Sequence, residues 1–244
     1  MRDGFIKVAA GIPQMHLADV TANTESIKQI ILKADDKRVN LLVLPELCIT
    51  GYTCGDLFFN DTLISSARSA LLELAEFTKN KYPVVVIGLP FSHNGKLYNC
   101  AAAIQDGEIL GIVPKTHLPN HCEFNEQRYF QSPNILTDST YLLLDNDYET
   151  DIGRNLIFMS DSFSFGIEIC EDLFAPEPSN QKLALGGAQI IVNPAACNQT
   201  VGKSKYCKSL IKDATTRLNC GYIMSSSGIG ESSTDTVYGG LVFI

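Results

Sequence analysis

Apolar runs rich in β-branched residues alternate along this chain with stretches of helical period. Phe5 to Ile12 reads as a strand. After candidate caps at Asp19 and Thr21, Ile27, Ile30, Ile31 and Ala34 recur at i, i+3, i+4 and i+7, which is the stripe of an amphipathic helix. Leu41-Leu42-Val43-Leu44-Pro45 is apolar without alternation, as a short strand covered on both faces must be. Leu63, Ala67, Leu71 and Leu74 share one face of a helix predicted from about Asp61 to Lys79, and Val84 to Leu89 forms another buried strand.

The pattern then changes. Leu97 to Gln105 and Ile109 to Val113 flank Gln105-Asp106-Gly107-Glu108, where Asp-Gly signals a hairpin turn. Residues 115–155 carry scattered Pro, Asn and Asp and read as long loops. A second hairpin runs from Asn155–Met159 into Ser162–Cys170, turning at Ser160-Asp161. A helix at 179–186, a strand at 188–193, a helix at 204–219 and strands at 221–226 and 236–244 follow. With no repeat, low-complexity tract or linker, residues 1–244 are expected to form one α/β domain. About four helices are too few to cover both faces of one large sheet. Two stacked sheets with the helices outside resolve the shortfall.

Composition narrows the function classes. The 244 residues are 45% hydrophobic and 19% charged, a globular balance with ample material for a core. A net charge of −8 argues against coating nucleic acid or an anionic membrane, so neither is expected as a partner. No apolar run reaches the ~18 residues of a membrane span, and Met1-Arg2-Asp3-Gly4 opens no signal peptide, so a cytoplasmic location is expected. The eight cysteines include no CxxC pair. In a reducing compartment most are expected to be free thiols packed as small hydrophobes, which leaves open which of them is reactive.

Three polar residues occupy equivalent places. Glu46 follows Leu-Leu-Val-Leu-Pro, Lys115 follows Ile-Leu-Gly-Ile-Val-Pro, and Cys170 ends Phe-Ser-Phe-Gly-Ile-Glu-Ile. Each stands where a buried strand runs out into a loop, the place where α/β sheets gather their active sites. Glu168, Glu171 and Asp172 surround Cys170 in sequence, so a reactive thiolate there needs a contacting proton acceptor and a fixed cation. Glu46 suits the general base, and Lys115, with the backbone N–H of Glu171, suits the oxyanion. Positioned acid–base work contributes about 10²–10⁴-fold and one oxyanion donor about 10²–10³-fold. Such a Glu–Lys–Cys set cleaves amide or nitrile carbon–nitrogen bonds through an acyl-thioester.

Other readings of single motifs are weaker. His117 or His121 as base to Cys170 would follow papain-like logic, but neither sits in a matching motif. His117, His121 and Cys122 suggest a metal site only until Pro119 breaks the helix that would align them, so a solvated loop is expected and no metal. Gly228-Ile229-Gly230 lacks the third glycine of a dinucleotide loop and reads as a turn. Ser225-Ser226-Ser227 reads as a strand edge, and the Tyr and Phe residues of 52–59 as pocket wall or core.

Pro-Glu-Leu (45–47), Pro-Lys-Thr (114–116) and Ile-Cys-Glu-Asp (169–172) resemble the nitrilase superfamily of carbon–nitrogen hydrolases. Longer blocks at 45–58, 95–102, 111–120 and 230–240 resemble the N-terminal glutaminase domains of glutamine-dependent NAD synthetases, over essentially the whole chain. The resemblance implies a nitrilase-like αββα four-layer sandwich, a Glu46–Lys115–Cys170 triad, Glu126 as supporting carboxylate and a homo-oligomer. It implies glutamine as substrate and no cofactor in this domain. It also implies ammonia passed to a synthetase domain or subunit that amidates a deamido dinucleotide with ATP and Mg²⁺. No Ser-Gly-Gly-x-Asp-Ser-like phosphate loop occurs in the chain, so the synthetase domain is expected to be absent and the sandwich C-terminally truncated.

There are departures from that family. His121 stands where a Tyr is usual, Ala195-Ala196-Cys197 where Ser-x-Ser is usual, and Phe174 where a Trp is common, while the basic residue of the next loop is kept as Lys203. Carried over residue by residue, glutamine is expected to be held by His121, Glu171, Cys197 and Lys203. Two alternatives stay open: another nitrilase-superfamily amidase, or a catalytically inert truncated interaction module. The retention of Glu46, Lys115 and Cys170 together favours an enzyme.

Overall fold

A computed structural model of the chain, describing residues 4–133, 140–145 and 148–244, has two β-sheets. The first contains β1 (Val8–Ala10), β2 (Leu41–Val43), β3 (Val84–His93), β4 (Lys96–Gln105), β5 (Glu108–Pro114), β6 (Thr140–Asp145) and β7 (Tyr148–Ile152), in the order β1-β2-β3-β4-β5-β7-β6. The second contains β8 (Ile157–Met159), β9 (Ser164–Ile167), β10 (Ile190–Ala195), β11 (Gly221–Ser226) and β12 (Val242–Phe243), in the order β12-β11-β10-β9-β8. β1, β2 and β3 are parallel, as are β9, β10 and β11, and hairpins extend both sets.

The helices are α1 (Val20–Asp36), α2 (Asp61–Phe77), α3 (Asn180–Leu185) and α4 (Lys203–Leu218). Asp19 caps α1 by accepting from Ala22 N at 3.0 Å, and Asn60 caps α2 by accepting from Thr62 N at 2.8 Å. Side-chain alternation along the strands assigns the layers. Leu42, Val85, Ile87 and Ile104 pack with Ile27 and Ile31 of α1 and Leu71 and Leu74 of α2. Leu41, Val43, Val86 and Ala103 instead pack with Phe165, Ile167 and Ile191 of the second sheet, whose core also takes in Leu183 of α3 and Ile211 of α4. The unbroken apolar run at Leu41–Leu44 is thus a strand buried on both faces, and the architecture is the αββα sandwich expected.

Several boundaries differ from the sequence reading. Two strands, β6 and β7, lie in the stretch read as loops. In β7 Thr150 and Ile152 are buried while Glu149 and Asp151 are exposed, so its alternation is short and masked by charge. The first strand is confined to Val8–Ala10 within Phe5–Ile12. The last, expected over 236–244, is confined to Val242–Phe243, because Gly240 at φ +65° bends the chain before it. Ser225-Ser226-Ser227 is fully buried, and the first two belong to β11, which has β10 on one side and β12 on the other, so it is no edge. Among the described residues, no helix is long and apolar enough to cross a membrane.

Candidate active site

Glu46, Lys115 and Cys170 sit just beyond the ends of β2, β5 and β9. Two of these exits turn through left-handed backbone: Leu47 follows Glu46 at φ +49°, and Cys170 itself has φ +42°. Such a conformation at a residue with a side chain costs about 1–3 kcal/mol and persists only where its surroundings hold it. At Cys170, the backbone N–H donates to Asn193 Oδ1 at 2.8 Å, and Asp172 Oδ2 accepts from Ile169 N at 3.0 Å. At Glu46, Gly88 of β3 makes room: a Cβ there would lie 2.3 Å from Leu47 N and 2.5 Å from Pro45 O.

Lys115 is the electrostatic centre. Its buried Nζ donates to Glu46 Oε1 at 2.6 Å and to Glu126 Oε1 at 2.5 Å. Burial alone would pull this lysine down, but the carboxylates of Glu126 and Glu46 outweigh it and hold the ammonium well above the usual lysine range. Burial pushes Glu126 up to about 7, against the pull of Lys115 and with the repulsion of Glu46. One cation facing two buried carboxylates leaves excess negative charge, so a proton shared within the cluster is favourable. Asn99 of β4 donates to Glu46 Oε1 at 2.7 Å and to Glu126 Oε2 at 3.2 Å, and Tyr52 Oη donates to Glu126 Oε1 at 2.9 Å. Glu46 Oε2 is buried and makes no hydrogen bond.

The model of the carbon–nitrogen hydrolase family matches residues 7–240. The chain belongs to the carbon–nitrogen hydrolase family. It is 33% identical, over 99% of its length, to the glutamine-dependent NAD(+) synthetase of Mycobacterium tuberculosis, of which it covers 36%. The structure is similar to that of a glutamine-dependent NAD(+) synthetase from Cytophaga hutchinsonii, with a TM-score of 0.86 and 28% identity over 97% of this chain and 38% of the other. An amidase from Nesterenkonia sp., 17% identical, shares the fold with a TM-score of 0.77 over 99% of this chain and 83% of its own. The chain therefore spans about a third of the length of the synthetases it matches.

Further buried polar contacts lie around Glu46, Lys115 and Cys170. Asp172 accepts from Thr116 N at 3.1 Å and His117 N at 2.7 Å, tying the loop after Lys115 to the turn that carries Cys170. Glu168 accepts from Tyr222 Oη at 2.5 Å, and Tyr222 Oη accepts from Asn193 Nδ2 at 2.8 Å, so a buried chain of hydrogen bonds ends at the Cys170 backbone. Glu231, fully buried, accepts from Tyr52 N at 2.7 Å and Thr53 N at 3.0 Å and holds the start of the loop whose Tyr52 reaches Glu126. Exposed Arg128 clamps the Glu126 turn to Asp56 through two bonds of 2.8 and 2.9 Å.

The residues expected to hold substrate differ in exposure, from exposed His121 through half-buried Glu171 and Lys203 to buried Cys197. His121 is exposed, with Nε2 3.4 Å from Glu171 Oε1, and Lys203 lies over the Phe174 ring at 4.3 Å. Cys197 Sγ is 3.9 Å from Cys170 Sγ, whereas Ala195 is buried in the core between the sheets. Residues 115–125 contain no helix, and His121 and Cys122 are exposed, as a solvated loop requires. Among the described residues no three His, Cys, Asp or Glu side chains are grouped to hold a metal. Of the 52–59 aromatics, Tyr52 lines the site, Phe58 is core and Phe59 is exposed. Gly228–Gly230 is a turn, and at Gly230, φ +88°, a Cβ would lie 2.0 Å from Met15 O. A cavity of about 930 Å³ between α1 and α2 is not lined by Glu46, Lys115 or Cys170.

Asn99 and Glu231 had no role in the sequence reading, Tyr52 stood there only as pocket wall or core, and Asp172 only as an acidic neighbour of Cys170. Asn99 carried a usable signal, a lone amide beside the apolar stretch Cys100–Ile104 of a strand, since a buried polar side chain in a sheet needs partners.

Proposed function

We propose that this chain hydrolyses glutamine to glutamate and ammonia through a thioester on Cys170. The observation that carries the reading is the division of labour at Glu46. Oε1 is saturated by Lys115 and Asn99, while Oε2 is buried and unpaired and so available for a proton. Glu46 takes the thiol proton as Sγ attacks the amide carbon. Lys115 Nζ and the N–H of Glu171 stabilise the oxyanion, since the N–H of Cys170 is committed to Asn193. The proton moves from Glu46 to the departing nitrogen, the carbon–nitrogen bond breaks, and ammonia leaves the acyl-thioester. Water, deprotonated by Glu46, then releases glutamate and returns the proton to the thiol.

Glutamine as the amide is supported by the likeness to glutamine-dependent NAD(+) synthetases. On the same ground, the ammonia serves ATP-dependent amidation of a deamido dinucleotide in a synthetase domain or subunit, where ATP and Mg²⁺ act. A second reading, another amide substrate, is favoured by the thiol of Cys197 beside Cys170 and the imidazole of His121 beside Glu171.

The test is intact-mass and peptide mapping after exposure to an electrophilic glutamine analogue. One adduct on Cys170, blocked by excess glutamine and absent in Cys170→Ala, is expected. Labelling unaffected by glutamine would favour the second reading, and adducts scattered over several of the eight thiols would reject the site.

A further inference from the structure

Cys170, Cys197 and Cys207 form a cluster of three thiols. Cys197 Sγ lies 3.9 Å from Cys170 Sγ, and the Cys207 thiol of α4 acts on Cys197 as well. All three are free and buried, with Cys170 in a short turn after β9 and Cys197 in the loop after β10. Elsewhere the buried thiols are electrostatically quiet: burial pushes Cys48 up to about 12 and Cys54 up to about 11. Cys207 behaves differently. The neighbouring Cys197 thiol draws it down to about 7 against its burial, and the Lys203 charge adds to that pull. A proton on Cys197 therefore has a neighbouring sulfur able to receive it.

We propose that Cys197 is a resolving thiol for Cys170, and that a small hydroperoxide converts the pair into a reversible intramolecular disulfide that closes the catalytic nucleophile. The inference rests on Cys170 being the reactive thiol of the proposed hydrolysis. The Cys170 thiolate attacks hydrogen peroxide, a sulfur–oxygen bond forms, the oxygen–oxygen bond breaks, and one water leaves after protonation. Cys197 then attacks the sulfenic sulfur. The sulfur–sulfur bond forms, the sulfur–oxygen bond breaks, and the second water leaves with the Cys197 proton, relayed by Cys207. Two thiols lose two electrons and two protons, and one peroxide becomes two waters. The sulfurs must approach by about 2 Å to bond, within reach of a side-chain rotation in flanking turns rather than a shift of either sheet. A dithiol restores both thiols by exchange.

The experiment treats the whole chain with a few equivalents of hydrogen peroxide and follows intact mass, peptide maps and labelling by the glutamine analogue. The wild type is expected to lose two hydrogens, yield one Cys170–Cys197 cross-linked peptide, and lose analogue labelling until dithiothreitol restores it. Cys197→Ser is expected to gain two or three oxygens on Cys170, with no recovery in dithiothreitol. Wild-type protein that over-oxidises Cys170 while Cys197 stays reduced, or that links Cys197 to Cys207 with Cys170 free, overturns the proposal. If the reduced protein labels at Cys170 but never cross-links, the switch falls and the hydrolysis reading stands.

Discussion

Asn99 Nδ2 donates to Glu46 at 2.7 Å, onto the same Oε1 that receives the Lys115 ammonium. The amide and the ammonium together fix one carboxylate oxygen and leave the other for chemistry. A second bond from Asn99, 3.2 Å to Glu126 Oε2, holds the two carboxylates to one strand. Hydrogen bonds to charged groups contribute about 1.5–3 kcal/mol. Asn99→Ala should therefore lower kcat for amide hydrolysis roughly 10–100-fold with a much smaller change in KM. Steady-state kinetics decides it: an unchanged kcat would remove Asn99 from the machinery.

Gly88 predicts a loss of another kind. Its missing Cβ leaves space for the backbone of Pro45, Glu46 and Leu47, which an alanine would meet at 2.3 to 2.7 Å. Backbone cannot swing aside as a long side chain does, so Gly88→Ala should displace Glu46 and destabilise the fold by about 1–3 kcal/mol. Gly221→Ala is the control, since its Cβ would meet nothing nearer than 3.5 Å. Urea denaturation of both variants should show the loss only in the first, and equal midpoints would refute the packing argument.

The sequence disclosed the layers because Leu41–Leu44 is apolar on both faces, and it disclosed Glu46, Lys115 and Cys170 because each interrupts an apolar run at a strand exit. Glu126 had no such signal, lying in an aperiodic loop, and entered only through family resemblance. Asn99 and Tyr52 were invisible as partners because their meaning depends on which carboxylates cross-chain packing brings near, 2.7 and 2.9 Å away. Strand β7 was lost because Glu149 and Asp151 hide its alternation. The pairing of Cys170 with Cys197 needed the register of β9 on β10, which no local pattern encodes.

Cys197 also bears on substrate affinity. Its thiol stands beside the nucleophile where a hydroxyl would make the better hydrogen bond to a bound amide. An added hydrogen bond contributes about 0.5–1.5 kcal/mol, so Cys197→Ser should lower KM for glutamine roughly 2–10-fold. Ala195 is fully buried, and a hydroxyl there would gain no solvent, so Ala195→Ser alone should not reproduce the effect. A KM that stays put in Cys197→Ser would remove this side chain from the substrate contacts.

Glu168 makes stability depend on pH in a direction opposite to that of a salt-bridged acid. Burial pushes its carboxyl up from the ordinary 4.5 to about 7, although the hydrogen bonds from Tyr222 and Asn180 favour the carboxylate. Between those values the native state holds a proton that the unfolded chain has released. The corresponding stability is fully present below 4.5 and is lost as pH rises through 7. A shift of this size corresponds to roughly 3 kcal/mol at most. Glu168→Gln cannot titrate, so its unfolding free energy should fall less than the wild type's between pH 5 and pH 8, whatever its absolute stability. Some slope should survive in the variant, because burial also raises Glu126 and Glu231 to about 7. Chemical denaturation at the two pH values measures the difference, and parallel curves for variant and wild type would show that Glu168 is ionised throughout.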